Sequence, residues 1–280
     1  MLRTLARLIL ITVVLSATAN ASNRLYSDNT LTHSDGLYLD INVGMDYLFE
    51  NSYLIGANAT RDGVELFNVN VLASYGNWYL DVDRSQLSGG WIVGYSALEH
   101  NNWDIDFIVT QAQDGFDEKG FDLYSSDEIP QLQGITKRGF DLTGGLRLSR
   151  RFGDNQASLE LLQDISNTHN GWIVSAFYSK IIPWQNWEFR TALGINFYSR
   201  NFTSYYFGIS EQEQKIDRAV YHPNSSMSVV YEFHAEYPLN ENWIFLTGWM
   251  TTWFSQQIYR SPIVAKNYQH KAKIGVRYVF

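Results

Sequence analysis

The groups in this 280-residue chain that could do chemistry concentrate in three alternating stretches near its C-terminus. Glu188 and Arg190 form the first, Glu232, His234 and Glu236 the second, and Lys271, Lys273 and Arg277 the third. Carboxylate and imidazole at every second position share one face of an extended segment, which raises the question of a metal site. Ligands spaced along a single strand diverge, however, and a site needs three or four that converge. Neither a metal nor any other cofactor is therefore expected. Opposite charges on neighbouring strands can instead neutralise one another across a sheet, and an inward-facing charge network is the expected role of all eight residues.

Nucleophilic catalysis would need a serine or similar group beside a histidine and an orienting partner. The six histidines, His33, His100, His169, His222, His234 and His270, fall mostly in predicted loops or at strand ends, and none sits in a nucleophile motif. No glycine-rich loop follows a strand and opens a helix. The chain is thus not expected to be an enzyme. Nor is nucleic acid an expected partner: 29 acidic residues outnumber 21 basic ones, and phosphate recognition needs clustered Lys and Arg.

The elements that must position these charges are strands. "GLYLDINVGMDYLF" (36–49) sets Leu37, Leu39, Ile41, Val43, Met45, Tyr47 and Phe49 on one face, and Tyr38, Asp40, Asn42, Gly44 and Asp46 on the other. Segments 64–75, 78–84, 91–98, 102–112, 139–152, 156–164, 171–184, 187–199, 227–239, 243–254 and 270–280 read the same way. The total is about twelve, and merging or splitting one weak hairpin would move it to ten or fourteen. After every second strand comes a short joint rich in turn residues, such as Gly76-Asn77 or Gly153-Asp154-Asn155. Most of the other joints are longer, the extremes being 113–138 and 200–226. Short turns at one end and long loops at the other match the periplasmic turns and extracellular loops of a membrane barrel.

Three further features agree. Residues 1–21 place Arg3 and Arg7 before an apolar run and end in Ala19-Asn20-Ala21, the pattern of a cleaved secretory signal peptide. Its removal turns 21 against 29 into 19 against 29, a net charge of −10. An exported chain without cysteine must be held by extensive hydrogen bonding or by a large core, and a closed sheet supplies the first. Trp78, Trp91, Trp103, Trp172, Trp187 and Trp243 sit within a residue or two of predicted strand starts, where an indole can bury its ring and keep its N–H wet. The expected fold is all-β, a transmembrane antiparallel up-and-down barrel over residues 36–280, preceded by a periplasmic segment (22–35). Its expected home is the outer membrane of a Gram-negative bacterium, in contact with outer-membrane lipid.

Within the last third, "NFTSYYFGIS" (201–210), "YPLNENWIFLTG" (237–248), "RSPIV" (260–264) and the terminal "GVRYVF" (275–280) resemble the MipA/OmpV family of MltA-interacting outer-membrane proteins. The stretch Tyr206-Phe207-Gly208-Ile209-Ser210 stands where that family opens a long external loop, and Ser261-Pro262-Ile263-Val264 where it approaches the last strand. The resemblance implies a barrel without established catalysis, whose partners are a murein hydrolase and a peptidoglycan synthase joined by a scaffold. A small-solute channel and a surface adhesin or receptor are the competing expectations. On the last strand, Ala272, Ile274, Val276, Tyr278 and Phe280 are expected to face lipid. Tyr278 and the terminal Phe280 also resemble the recognition signal read by the barrel-assembly machinery.

Overall fold

The computed structural model describes residues 37–57, 63–83, 87–121 and 128–279, with side chains described from residue 43 onward except for 63–68. The signal-peptide and periplasmic-segment expectations (1–21 and 22–35) and Phe280 lie outside the described residues. Twelve strands close into one antiparallel barrel. They are β1 (Leu37–Glu50), β2 (Gly63–Tyr75), β3 (Trp78–Val82), β4 (Trp91–His100), β5 (Trp103–Thr110) and β6 (Thr143–Phe152). The second half comprises β7 (Asn155–Asp164), β8 (Trp172–Trp184), β9 (Trp187–Tyr198), β10 (Ser226–Pro238), β11 (Trp243–Phe254) and β12 (Tyr268–Val279). Each strand pairs with its sequence neighbours, and β12 closes on β1 from Asn42↔Val279 to Glu50↔Lys271. Closure leaves no free sheet edge, which is what lets a cysteine-free chain satisfy its backbone groups in lipid.

Local chemistry sets the tight end. Asn101 and Asn102 both adopt positive φ, 51° and 65°, as a two-residue hairpin turn requires, and Gly76, Gly153 and Gln185 take positive φ at the equivalent joints. The wall then alternates as the period of two demands. Along β12 the exposed Ile274 points outward, whereas Lys273 and Arg277 are buried. Met45 and Phe49 are likewise exposed on β1 while Asp46 between them is buried. Greasy outside and charged inside inverts the pattern of a water-soluble protein and fits a wall wetted by lipid. Trp78, Trp103 and Trp243, at the short-turn end, and Trp172, at the long-loop end, are exposed in two aromatic girdles.

Several strand ends differ from expectation by two residues or more, among them β4, which runs to His100 rather than residue 98, β5, which ends at Thr110 rather than residue 112, and β12, which begins at Tyr268 rather than residue 270. β3 ends at Val82 rather than at residue 84, and β6 begins at Thr143 rather than at residue 139. Residue 84 lies outside the described residues, and the residues ahead of Thr143 belong to a loop with tertiary partners that compete with the wall. Gly139 N–H donates to the Tyr205 hydroxyl at 2.8 Å, and the Asp141 carboxylate accepts from Ala112 N–H at 2.9 Å. Among the described residues the long loops carry two short α-helices, α1 (Arg200–Phe207) and α2 (Gln256–Tyr259), and one 3-10 turn at Glu211–Glu213. α1 is capped by Ser199, whose Oγ accepts from Phe202 N–H.

Candidate functional site in the barrel lumen

The lumen is lined by ion pairs drawn from facing strands. Arg277 meets Glu236 at 2.7 Å, Lys273 meets Asp46 at 3.4 Å and Lys271 meets Glu50 at 3.3 Å. On the other wall Arg147 meets Glu160 at 2.6 Å, Arg151 meets Asp104 at 3.7 Å, and the Tyr79 hydroxyl donates to Asp106 at 3.1 Å. Of the eight charges singled out from sequence, the structure therefore brings Arg277 to Glu236 and His234 to Glu232. It sends Lys271 and Lys273 to β1 instead. Glu188 and Arg190 form no ion pair among the described residues, and Glu188 Oε1 is buried without a hydrogen-bond partner. Glu236 is turned to Arg277, away from His234, so the three groups do not converge as ligands; among the described residues no cluster of three or more such groups could hold a metal.

Mid-wall on β10, Glu232 holds an inward loop. Because β3 is only five residues long, the connection to β4 leaves the wall early, and its descending part reaches across the barrel. Leu87 N–H and Ser88 N–H donate to Glu232 Oε1 at 2.8 and 3.0 Å, and the Ser88 hydroxyl donates to Oε2. β10 lies five strands from β3 one way round the barrel and seven the other, so Leu87 and Ser88 meet a strand almost opposite the one their loop follows. The imidazole of His234 hydrogen-bonds the same carboxylate. Its room comes from Gly248 opposite, where a Cβ would stand 2.6 Å from His234 Nδ1. Sequence reading missed this latch. The available signal was a lone Leu87 in a polar stretch followed by Gly89-Gly90.

The wide end is closed by a cap. Residues from the β1–β2, β5–β6, β9–β10 and β11–β12 loops pack into one apolar cluster that includes Leu54, Phe116, Leu132, Phe202, Tyr206 and Ile263. The two motif stretches meet inside it. Ser261 Oγ donates to the Phe207 carbonyl at 2.6 Å, and Phe207, Ile209, Ile263 and Val264 share the cluster. Gly208 follows α1 so closely that a Cβ there would stand 2.3 Å from the Ser204 carbonyl oxygen. Pro262 is half-buried beside this contact, and Ser210 N–H and Oγ both reach Glu213 Oε2 at 2.9 Å.

Buried charges stitch the cap. Arg138 pairs with Glu213 at 2.9 Å and donates to the Gly208 carbonyl at 3.0 Å. Arg218 donates to the carbonyls of Glu213, Gln131 and Gln133, joining segment 128–138 to segment 208–221. Burial works to raise the Glu213 carboxyl, but hydrogen bonds from Arg138 and from the Ser210 and Thr136 N–H groups outweigh it and hold the group down at about 2. A depressed folded value means that the contribution is complete above the unfolded carboxyl value, about 4.3, and is lost as pH falls through the folded one. Amide hydrogen exchange at Thr136 and Arg138, corrected for intrinsic rate, should therefore stay protected down to about pH 5 and lose protection between about pH 4 and 2. Loss of protection already above pH 5 would contradict this ordering.

A second buried group, Asp141–His169–Asp164, binds the cap to the wall. His169 Nδ1 accepts from Gly171 N–H at 2.9 Å, so Nε2 carries the proton and donates to Asp141 Oδ2 at 3.1 Å. Phe202, Tyr205 and Tyr206 surround the ring. Between cap and latch remains a cavity of about 160 Å³.

Comparison with known proteins agrees with this architecture. Residues 43–280 match the family model described as MltA-interacting protein MipA. The chain belongs to the MipA family. It is 24% identical over 252 residues to the outer membrane protein Omp26La of Vibrio anguillarum, a match covering 83% of this chain and 98% of that protein. With OmpV of Vibrio cholerae it shares 27% identity over 157 residues, covering 56% of this chain and 61% of that one. Among solved structures, the outer membrane channel DcaP of Acinetobacter baumannii superposes with a TM-score of 0.42 at 10% identity, covering 89% of this chain and 100% of that chain. This MipA-family barrel is thus a Gram-negative outer-membrane protein of the group its C-terminal motifs resemble.

Proposed function

We propose that this MipA-family barrel is a non-enzymatic envelope scaffold, closed to bulk solute, that works by docking murein-processing enzymes at its periplasmic rim. The observation that carries this reading is double occlusion of the lumen: the Glu232 latch at mid-height and the packed cap above it. A barrel obstructed twice is built to present surfaces rather than to pass solutes. The matched family is described as MltA-interacting; a murein hydrolase and a peptidoglycan synthase are the partners that the motif resemblance implies. Tyr278 and Phe280 would serve the assembly machinery during insertion. Crosslinking in the periplasm followed by purification of the barrel should recover a murein hydrolase or synthase. Recovery of barrel-assembly factors alone would contradict the scaffold.

One observation favours a second reading, a gated small-solute channel. The inward loop is tied to the far wall mainly by the Glu232 carboxylate, with one longer hydrogen bond from Leu87 N–H to His234 Nε2 at 3.4 Å, rather than by a ladder of strand hydrogen bonds, so an event at Glu232 would release most of its hold.

A further inference from the structure

The cavity beneath the cap is lined by polar groups that no part of the reading above uses. The wall strands β9 to β12 supply Asn196, Tyr198, Ser228, Thr252, Phe254 and Gln269, while Phe202 of α1 and Ile258 of α2 form part of its roof. None of its lining residues carries a charge. The amides are oriented by their own hydrogen bonds. Gln269 is only 8% exposed and donates through Nε2 to Glu50 at 2.6 Å, which leaves Oε1 as an acceptor without a partner among the described residues. Asn196 donates through Nδ2 to Ser228 Oγ at 3.2 Å, and Gln113 through Nε2 to the Tyr53 hydroxyl at 3.1 Å, leaving two more carbonyl oxygens. The Thr252 hydroxyl makes no hydrogen bond among the described residues. Tyr198 and Phe202 stack at 4.6 Å, and the Phe254 ring lines the cavity from β11.

We propose that this cavity is a binding site for one neutral monosaccharide ring, held by the amide carbonyls of Asn196, Gln113 and Gln269 and by the aromatic faces around them. Size comes first: a cavity of about 150 Å³ accommodates one benzene ring, so the present 160 Å³ admits one six-membered ring and not two. Polarity comes next. A benzene-like guest would leave the buried Gln269 carbonyl and those of the half-buried Asn196 and Gln113 unmet, whereas ring hydroxyls donate to all three. The rings of Phe202 and Phe254 suit the apolar C–H face of a pyranose. Charge comes last. No lining carboxylate is present to neutralise a cation and no lining basic group to neutralise an anion, so an amino sugar or a sugar acid would be buried unpaired.

Isothermal titration of the purified full-length barrel in detergent micelles, incubated to equilibrium, tests this with D-glucose, D-galactose, glucosamine, glucuronate, maltose and phenol. Saturable binding of at least one neutral hexose is expected, with glucosamine, glucuronate, maltose and phenol each at least tenfold weaker. Gln269→Leu and Asn196→Leu should each weaken hexose binding at least tenfold, while both variants keep the heat-modifiable mobility of a folded barrel on gels. Thr252→Val, which keeps shape and removes one hydroxyl, provides a milder variant if either amide replacement fails to fold, and should weaken binding about threefold. Absence of hexose binding, equal binding of glucosamine, phenol or maltose, or hexose binding unchanged in the folded variants would each overturn the proposal.

Discussion

Replacing Glu232 by alanine releases the loop that crosses the lumen. The native chain contains no cysteine, so a single Leu87→Cys substitution reports on that loop without background. In the otherwise native barrel this thiol is buried beside the latch and should react slowly with a charged, water-soluble maleimide. Three hydrogen bonds converge on the Glu232 carboxylate from Leu87 N–H, Ser88 N–H and the Ser88 hydroxyl. Hydrogen bonds to a charged group contribute about 1.5–3 kcal/mol each, so losing all three shifts the closed-to-open equilibrium by at least about 3 kcal/mol even if their effects overlap. The labelling rate of Leu87→Cys should therefore rise at least about a hundredfold in the Glu232→Ala background. Glu232→Gln keeps one acceptor oxygen and should fall between the two. Equal labelling with and without Glu232 would mean that the loop is held by something other than the carboxylate.

The second large effect is expected in the cap. Arg138→Ala removes a buried guanidinium from the contact between segments 128–138 and 208–221, and leaves the buried Glu213 carboxylate with the Ser210 N–H and hydroxyl and the Thr136 N–H as donors. Removing one member of a buried pair typically costs about 3–5 kcal/mol; the low end applies here, because the Ser210 and Thr136 N–H groups still serve Glu213. About 3 kcal/mol corresponds to roughly a hundredfold increase in cleavage of the cap by a protease added to intact cells. The barrel wall, whose ladders do not depend on this pair, should keep its melting temperature. Replacing both partners with methionine should restore most of the resistance, since no buried charge is then left over. Cleavage unchanged in Arg138→Ala would show that the apolar cluster alone holds the cap.

Most of the wall was legible in the sequence, because both of its determinants are local. Period-two alternation places Ile274 outside and Lys273 inside without reference to any other strand, and turns such as Asn101-Asn102 carry their conformational preference in their own residues. The lumen was half legible. Side-chain parity sends Lys271 and Lys273 inward, but their partners Glu50 and Asp46 belong to a strand more than two hundred residues earlier, and only closure of β12 on β1 sets them opposite. Glu188 and Arg190 share the inward face, yet proximity along one strand did not make them a pair. The cap and latch were illegible for a different reason. Arg138, Glu213, Arg218 and the Asp141–His169 pair lie in irregular segments whose partners are set by tertiary contact, and no periodicity marks them.

The central claim is that the resting barrel is closed, and single-channel recording in planar bilayers tests it most directly. Purified native protein should insert and stay silent, while the Glu232→Ala, Arg138→Ala double variant, unlatched and uncapped, should produce discrete conductance steps. Steady, ohmic steps from the native protein at low voltage would contradict the account.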